Sequence, residues 1–388
     1  MSNIELKRVC VVLVDRANYG RMHTVMRAIQ EDDSLKLVTV CAGTMLLERF
    51  GQAEKVVEKD GFNVDGKVYL EVEGSIPVTM AKSIGLGIIE FSTEFQRLQP
   101  DIVLLIGDRY EALAAAIAAA YMNIPIAHIQ GGEVSGSIDE SARHAITKFA
   151  HIHFAATERS ANFIKRMGEK KDFVFNVGCP SGDYILQLDT DLPDDLFNKA
   201  GVGADISPNK PFFLVIFHPV TTDYGSEREQ TEELLSALNE LAHPTVWIWP
   251  NIDAGSEGIA KAIRVFREHH DSSWLHLIKN LDPITFQKCL KKTACAIGNS
   301  SSFIRDSTFS GTPVILIGKR QIGREHGENL VSVAPFKDEI ISAINNQIQY
   351  GRYPVSSLYG DGNASKYIVE KLKEFKPYSQ KILHYALE

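Results

Sequence analysis

DIVLLIGDRYEALAAAIAAAYMNIPIAHIQGGE, running from Asp101 to Glu133, decides the fold. Asp101–Ile106 reads as a strand because an unbroken apolar run of strand length ends at Gly107. Tyr110–Met122 follows as the clearest helix, rich in alanine, the best helix former. Pro125–Ile129 is a second apolar strand, and the Gly131-Gly132 pair after it marks a turn where backbone can approach a ligand closely. Two apolar strands joined through a helix form a βαβ unit, which belongs to a parallel sheet covered on both faces.

The same rhythm extends in both directions. Towards the N-terminus it predicts strands at Arg8–Val14, Leu35–Cys41 and Lys67–Val72, with the longest helix at Pro77–Leu98; beyond Glu133 it predicts strands at Ile152–Ala155 and Phe173–Val177. DTDLPDDLFNKAGVGADISPNKP, residues 189–211, breaks the pattern and reads as an interdomain connection. The rhythm then restarts with strands Phe212–Phe217, Pro244–Trp249, Trp274–Ile278, Cys295–Ile297 and Val314–Ile317. Helices Ser226–Leu241, Glu257–His269, Pro283–Lys291 and Phe303–Phe309 lie between them. The expected organisation is an α/β chain of two Rossmann-like, doubly wound parallel-sheet domains, 1–188 and 212–362, facing a cleft. A helical segment, 363–388, packs back on the first.

A length of 388 residues suits two cores, and 44% hydrophobic with 23% charged residues is ordinary for a globular protein. The net charge of -8 argues against nucleic acid or an anionic membrane as partner. Val9–Val14 is too short for a signal or a membrane span, so a cytoplasmic location is expected. Five scattered cysteines without a C-x-x-C pair point to reduced thiols and no zinc site, with Cys10 and Cys41 as core residues.

The unusual residues fall just after predicted strands, where open α/β sheets bind ligands. Arg16, Asp108 with Arg109, and Gln130 to Glu133 do so in the first half; His218, Asn251, Asn299 to Ser301 and Arg320 do so in the second. Arg16, Arg109 and Arg320 match the bidentate geometry of a diphosphate. Gly298-Asn299-Ser300-Ser301 either holds a phosphate on its amides and hydroxyls or supplies an N-cap. Asp108, Glu133 and Asp139 are the carboxylates available for proton transfer. Each has a structural alternative: Asp108 and Asp139 as helix caps, Glu133 as a solvated loop residue, and Asp139 as the ion-pair partner of Arg143 one turn on. His218 is a candidate for the same chemistry or an ordinary loop histidine.

GDRYEALAAAIAAAYMNIPIAHIQGGEVSGSIDESARHAITKFAHIHF from Gly107 resembles the hydrolysing UDP-N-acetylglucosamine 2-epimerases of sialic acid biosynthesis, the epimerase domain of the animal bifunctional enzyme included. FHPVTTD at Phe217, PNIDAGS at Pro250, IGNSSSFIRD at Ile297, GTPVILIGKRQIGRE at Gly311 and YGDGNA at Tyr359 are similar to the same family in the same order. The resemblance implies a GT-B-type fold, no metal or other cofactor, and a homodimer or homotetramer. It implies loss of UDP to a 2-acetamidoglucal, then hydration to N-acetylmannosamine, for sialic acid or surface polysaccharide. It adds Leu281 and Asp306 to the UDP contacts and makes Asp108 and Asp139 the catalytic acids, with Glu133 and His218 beside them and Gln130 and Arg143 near the substrate. Three departures from the animal pattern stand out. Gln130 replaces a glutamate and cannot transfer a proton, Asp306 is shorter than a glutamate, and Glu257 and Asn280 replace residues used there for feedback. The rival readings are an epimerase of UDP-N,N'-diacetylbacillosamine, a GT-B glycosyltransferase, and a sugar-nucleotide sensor.

Overall fold

The computed structural model describes residues 6–48, 51–74, 76–378 and 380–384, and its short β-branched runs pair into two seven-stranded sheets. In the first, β1 (Lys7–Leu13), β2 (Leu35–Ala42), β3 (Gly66–Val68), β4 (Ile102–Ile106), β5 (Ile126–Ile129), β6 (Ile152–Ala155) and β7 (Val174–Asn176) stand in the order 3-2-1-4-5-6-7. Every pairing in it is parallel. The second joins β8 (Gly201–Gly203), β9 (Phe213–Ile216), β10 (Thr245–Ile248), β11 (Leu275–Ile278), β12 (Cys295–Gly298), β13 (Val314–Ile317) and β14 (Leu330–Val333) in the order 14-13-12-9-10-11-8. Only β8 runs antiparallel, against β11. The architecture is therefore the expected two-domain α/β fold.

Each sheet is covered on both faces. Val9, Val11 and Leu13 pack on one side with the helices Arg16–Gln30 and Ala364–Glu374; Cys10, Val12 and Val14 pack on the other with Phe91, Phe95 and the alanines of Tyr110–Tyr121. This period-two division explains why the strands read as apolar throughout. The described helices include none long and apolar enough to cross a membrane.

Differences from the sequence reading lie at edges and ends. β8, inside the segment read as a connection, and β14 were not expected, because edge strands pair on one side only and carry exposed residues such as Val202 and Val331. β3 is three residues, shorter than expected, since its ladder meets only Val40 to Ala42. The helix read at Phe303–Phe309 is a short α-helix, Ser301–Arg305, continued by a 3-10 turn, Asp306–Phe309. The C-terminal helix stops at Glu374 because Pro377 disfavours helix just ahead of it, and residues 375–378 and 380–384 continue without helix across the first domain. The end of that expected segment, 385–388, lies outside the described residues.

The chain passes between the sheets twice, and the two passages touch. Cys179 N–H donates to Tyr359 O at 2.6 Å, and Gly178 and Gly360, with φ of 85° and 112°, lie back to back. A Cβ on Gly178 would come within 2.8 Å of Gly360 Cα and of Tyr359 O. Gly178→Ala should therefore cost about 2 kcal/mol or more, combining left-handed strain with overlap. Urea unfolding of the variant against wild type checks this, and an unchanged midpoint would refute it.

Candidate active site

The carboxyl ends of the two sheets face each other across an open space of about 1010 Å³, bordered by Arg16, Asp108, Asp139, His218, Ser301 and Arg320 among others. Arg109, Asn251 and Ser300 also border it. A second, adjoining space of about 760 Å³ shares Arg16, His218 and Ser300 and is otherwise more apolar, with Leu281, Phe286 and Asp306 on its wall. Arg16, Asp108, Arg109, His218, Asn251, Ser300, Ser301 and Arg320, named for their place at strand ends, thus meet Leu281 and Asp306, named only by resemblance, in one continuous cleft.

The surroundings of Asp108 and Asp139 shift their carboxyls in opposite directions. Burial raises the Asp108 carboxyl, but Arg143, Arg324 and Arg305 outweigh it and hold it well below the ordinary carboxylate range. Asp108 does not cap the following helix, whose N-cap is Arg109; its Oδ2 accepts from Arg143 Nη2 instead. Asp139 is pushed up, first by burial and then by the Asp108 charge. It lies in the first turn of the helix Ile138–Phe149, behind the N-cap Ser137, whose Oγ donates to Asp139 Oδ2 at 2.9 Å. Its ion-pair partner is Arg320, at 3.5 Å from Nη2, while Arg143 turns to Asp108.

His218 is neutral, because burial and then Arg320 pull it down to about 3. Asn251 N–H donates to its Nδ1 at 3.2 Å, which leaves the ring proton on Nε2 as a donor. Asn299 stands behind it, fully buried, with Oδ1 accepting from His218 N–H at 2.7 Å and Nδ2 donating to His218 O at 2.8 Å. Ser300 is the N-cap of Ser301–Arg305, accepting from Ser302 N–H at 3.3 Å, and it also borders the cleft. Arg16 donates from Nη1 to Leu281 O at 3.1 Å. Arg109 is buried and spans the two domains, donating to Asp253 Oδ1 at 2.6 Å and to Glu111 Oε1 at 2.9 Å. Asp306 Oδ1 and Oδ2 accept from Ser181 Oγ and Gln287 Nε2, each at 2.7 Å.

Four predicted residues lie behind the cleft rather than on it. Gln130, at φ 63°, turns its Nε2 to Cys179 Sγ at 3.1 Å. Glu133 is not a solvated loop residue: it is buried, 2.7 Å from Arg305 Nη1 and 3.0 Å from Arg324 Nη1. Burial raises its carboxyl, and Arg305, Arg324 and Arg143 overcome that and lower it. Arg143 and Asn299 support Asp108 and His218 from within. Sequence reasoning passed over Arg305, Arg324, Asp253 and Glu111. All four sit inside the quoted motifs, and for Arg305 a charged residue directly after the apolar Phe303-Ile304 pair was the available signal. The domains also meet through backbone, since Gly136 N–H donates to Arg320 O at 2.9 Å and a Cβ there would strike Lys319 O.

Comparison with known proteins gives one family. A family model described as UDP-N-acetylglucosamine 2-epimerase matches residues 27–373. The chain is 34% identical to a UDP-N,N'-diacetylbacillosamine 2-epimerase (hydrolyzing) of Legionella pneumophila, over 97% of this chain and 98% of that one. It is 31% identical to polysialic acid biosynthesis protein P7 of Escherichia coli, over 88% of this chain and 86% of that protein. Its fold is similar to that of a UDP-GlcNAc 2-epimerase from Neisseria meningitidis solved with UDP-GlcNAc, at a TM-score of 0.78 and 20% identity, covering 95% of this chain and 100% of the other.

Glu133→Ala strands two buried guanidinium groups and should cost about 3–5 kcal/mol of stability. Urea denaturation measures it; a loss below about 1 kcal/mol would mean that the cluster is solvated rather than buried.

Proposed function

The chain belongs to the UDP-N-acetylglucosamine 2-epimerase family, and from that premise we propose that it is a hydrolysing enzyme, converting UDP-N-acetylglucosamine and water into UDP and N-acetylmannosamine. The observation that carries the reading is the pair Asp108 and Asp139, two carboxyl groups that border one cleft and whose surroundings shift them in opposite directions, Asp108 down and Asp139 up.

The hydrogen at C2 of the sugar has no neighbouring carbonyl to acidify it, so its removal must be coupled to departure of UDP. In the first step the C2–H and C1–O bonds break, the C1–C2 double bond forms, and the diphosphate leaves with the bonding pair. In the second, water supplies hydroxyl to C1 and a proton returns to C2 on the opposite face. Removal and return on two faces need two groups: ionised Asp108 accepts, and Asp139 is placed on a separate element to donate. Arg16, Arg320, the Nε2–H of His218 and the Ser300 and Ser301 hydroxyls border the place where negative charge grows on the leaving oxygens. Arg109, its fork held by Glu111 and Asp253, braces the two domains around that site. Leu281 and Asp306 serve the nucleoside in the adjoining space, with Asn251 beside His218. The cytoplasm, a homo-oligomer and a role in sialic acid or surface polysaccharide synthesis complete the proposal; the E. coli relative's name supports the pathway.

A second reading keeps the chemistry and changes the sugar to UDP-N,N'-diacetylbacillosamine, and the Legionella relative favours it. Incubation with each nucleotide in heavy water separates the two. The expected result is free UDP without any acceptor and N-acetylmannosamine carrying one deuterium at C2; product without that label would refute elimination and addition. Asp108→Asn should lose at least about a hundredfold in kcat, and near-normal turnover would remove Asp108 from the chemistry.

A further inference from the structure

The charges around Asp108 come from both domains. Arg143, on the helix Ile138–Phe149, donates to Asp108 Oδ2 from its own domain and is fixed by Glu133 O at 2.7 Å and Ser135 Oγ at 3.1 Å. Arg324 comes from the turn after β13 in the other domain. Its Nη2 stands 3.7 Å from Asp108 Oδ2, its Nη1 3.0 Å from Glu133 Oε2, and its Nε donates to Val134 O at 3.3 Å. Arg305, also from the second domain, completes the group through Glu133 at 2.7 Å. The side chains of Arg143 and Arg324 are 1% and 2% exposed, whereas that of Asp108 is 25% exposed towards the cleft.

Three guanidinium groups therefore share two carboxylates, Asp108 and Glu133, and leave one positive charge in excess. Two of the three cations belong to the second domain, so this balance exists only while the domains are apposed. With Arg143 alone, Asp108 and Glu133 would leave one negative charge in excess. Asp139, which the Asp108 charge helps to push up, and buried His128, with Nε2 on Gly107 O at 2.8 Å and held neutral by burial, are the further titratable groups whose charge couples to Asp108.

We infer that Arg324 is a positioning residue for Asp108: it sets the second domain's charge against the first domain's carboxylate, so that the orientation and charge surroundings of Asp108 as a proton acceptor depend on both domains. The inference rests on the reading of Asp108 as a proton-transfer group. Arg324 is not among the described residues bordering the cleft, so it acts through Asp108 and not on the substrate. Burial draws its own guanidinium down to about 10, which leaves it charged throughout the working range.

The test uses the full chain with Arg324→Gln and Arg324→Lys. Removing the cation relieves the depression of the Asp108 carboxyl, so the acid limb of kcat/KM should move to higher pH, by about one unit in Arg324→Gln. Arg324→Lys should restore part of that shift, and KM should change less than about threefold. A second readout needs no turnover: carbodiimide with glycine ethyl ester couples to protonated carboxyls, and peptide mass spectrometry should find Asp108 labelled several times faster in Arg324→Gln than in wild type. Equal labelling, or an unmoved acid limb with lysine no better than glutamine, would overturn the inference and leave Arg324 a plain interdomain ion pair. Should Arg324→Gln not fold, Arg324→Lys against wild type carries the same test with a smaller shift in the same direction. If wild type releases no UDP from either nucleotide, the proposed reaction falls, and the labelling still decides the role of Arg324.

Discussion

Everything at the centre of this molecule depends on the ion pairs that Glu133 makes with Arg305 and Arg324 across the domain boundary. Taking these groups out of water costs several kcal/mol for each ion, and the cost is recovered only when every partner is in place. The pairing therefore acts less as glue than as a condition of fit: a slightly wrong approach of the domains strands charge in a dry interior. The other crossings obey the same condition. Arg109 with Asp253, Arg320 with Asp139, and the Gly136 N–H on Arg320 O all sit around the cleft rim. Cleft geometry and interdomain electrostatics are consequently a single quantity.

That coupling separates two kinds of arginine that look alike in sequence. Arg16 and Arg320 border the open space, whereas Arg143, Arg305 and Arg324 are buried behind it and supply field rather than contact. Arg109 is intermediate, bordering the cleft with its fork already held by Glu111 and Asp253. A buried cation beside an ionised carboxylate is worth most where water is excluded, and of these three Arg305 and Arg324 reach their carboxylates across the domain boundary.

The fold was legible because buried parallel strands write themselves as uninterrupted apolar runs, and their carboxyl ends announce where chemistry gathers. The runs around Val9, Leu104 and Ile315 needed no partner to be recognised. Asp108, His218, Ser300 and Arg320 could be placed at one cleft from their positions just after predicted strands, while Asp139 was legible as a carboxylate and by resemblance. What escaped was everything set by distant pairing. Glu133 and Arg305 are 172 positions apart, and nothing local to either names the other. The turn of Gln130 towards Cys179, the short edges β8 and β14, and the early end of the last helix are likewise settled by neighbours remote in sequence.

The two passages of the chain between the domains run side by side, Cys179 bonded to Tyr359 and Gly178 pressed against Gly360. Asp183 just beyond ties the second passage down, accepting from Ala364 and Ser365 N–H at 2.9 and 2.7 Å. One tether would leave the halves free to swivel like a ball in a socket. Two tethers laid side by side and bonded to each other, like a doubled seam, resist slide and twist between the halves. Such a seam keeps the same residues in the same facing positions, which is the mechanical counterpart of a charge cluster that tolerates no misalignment.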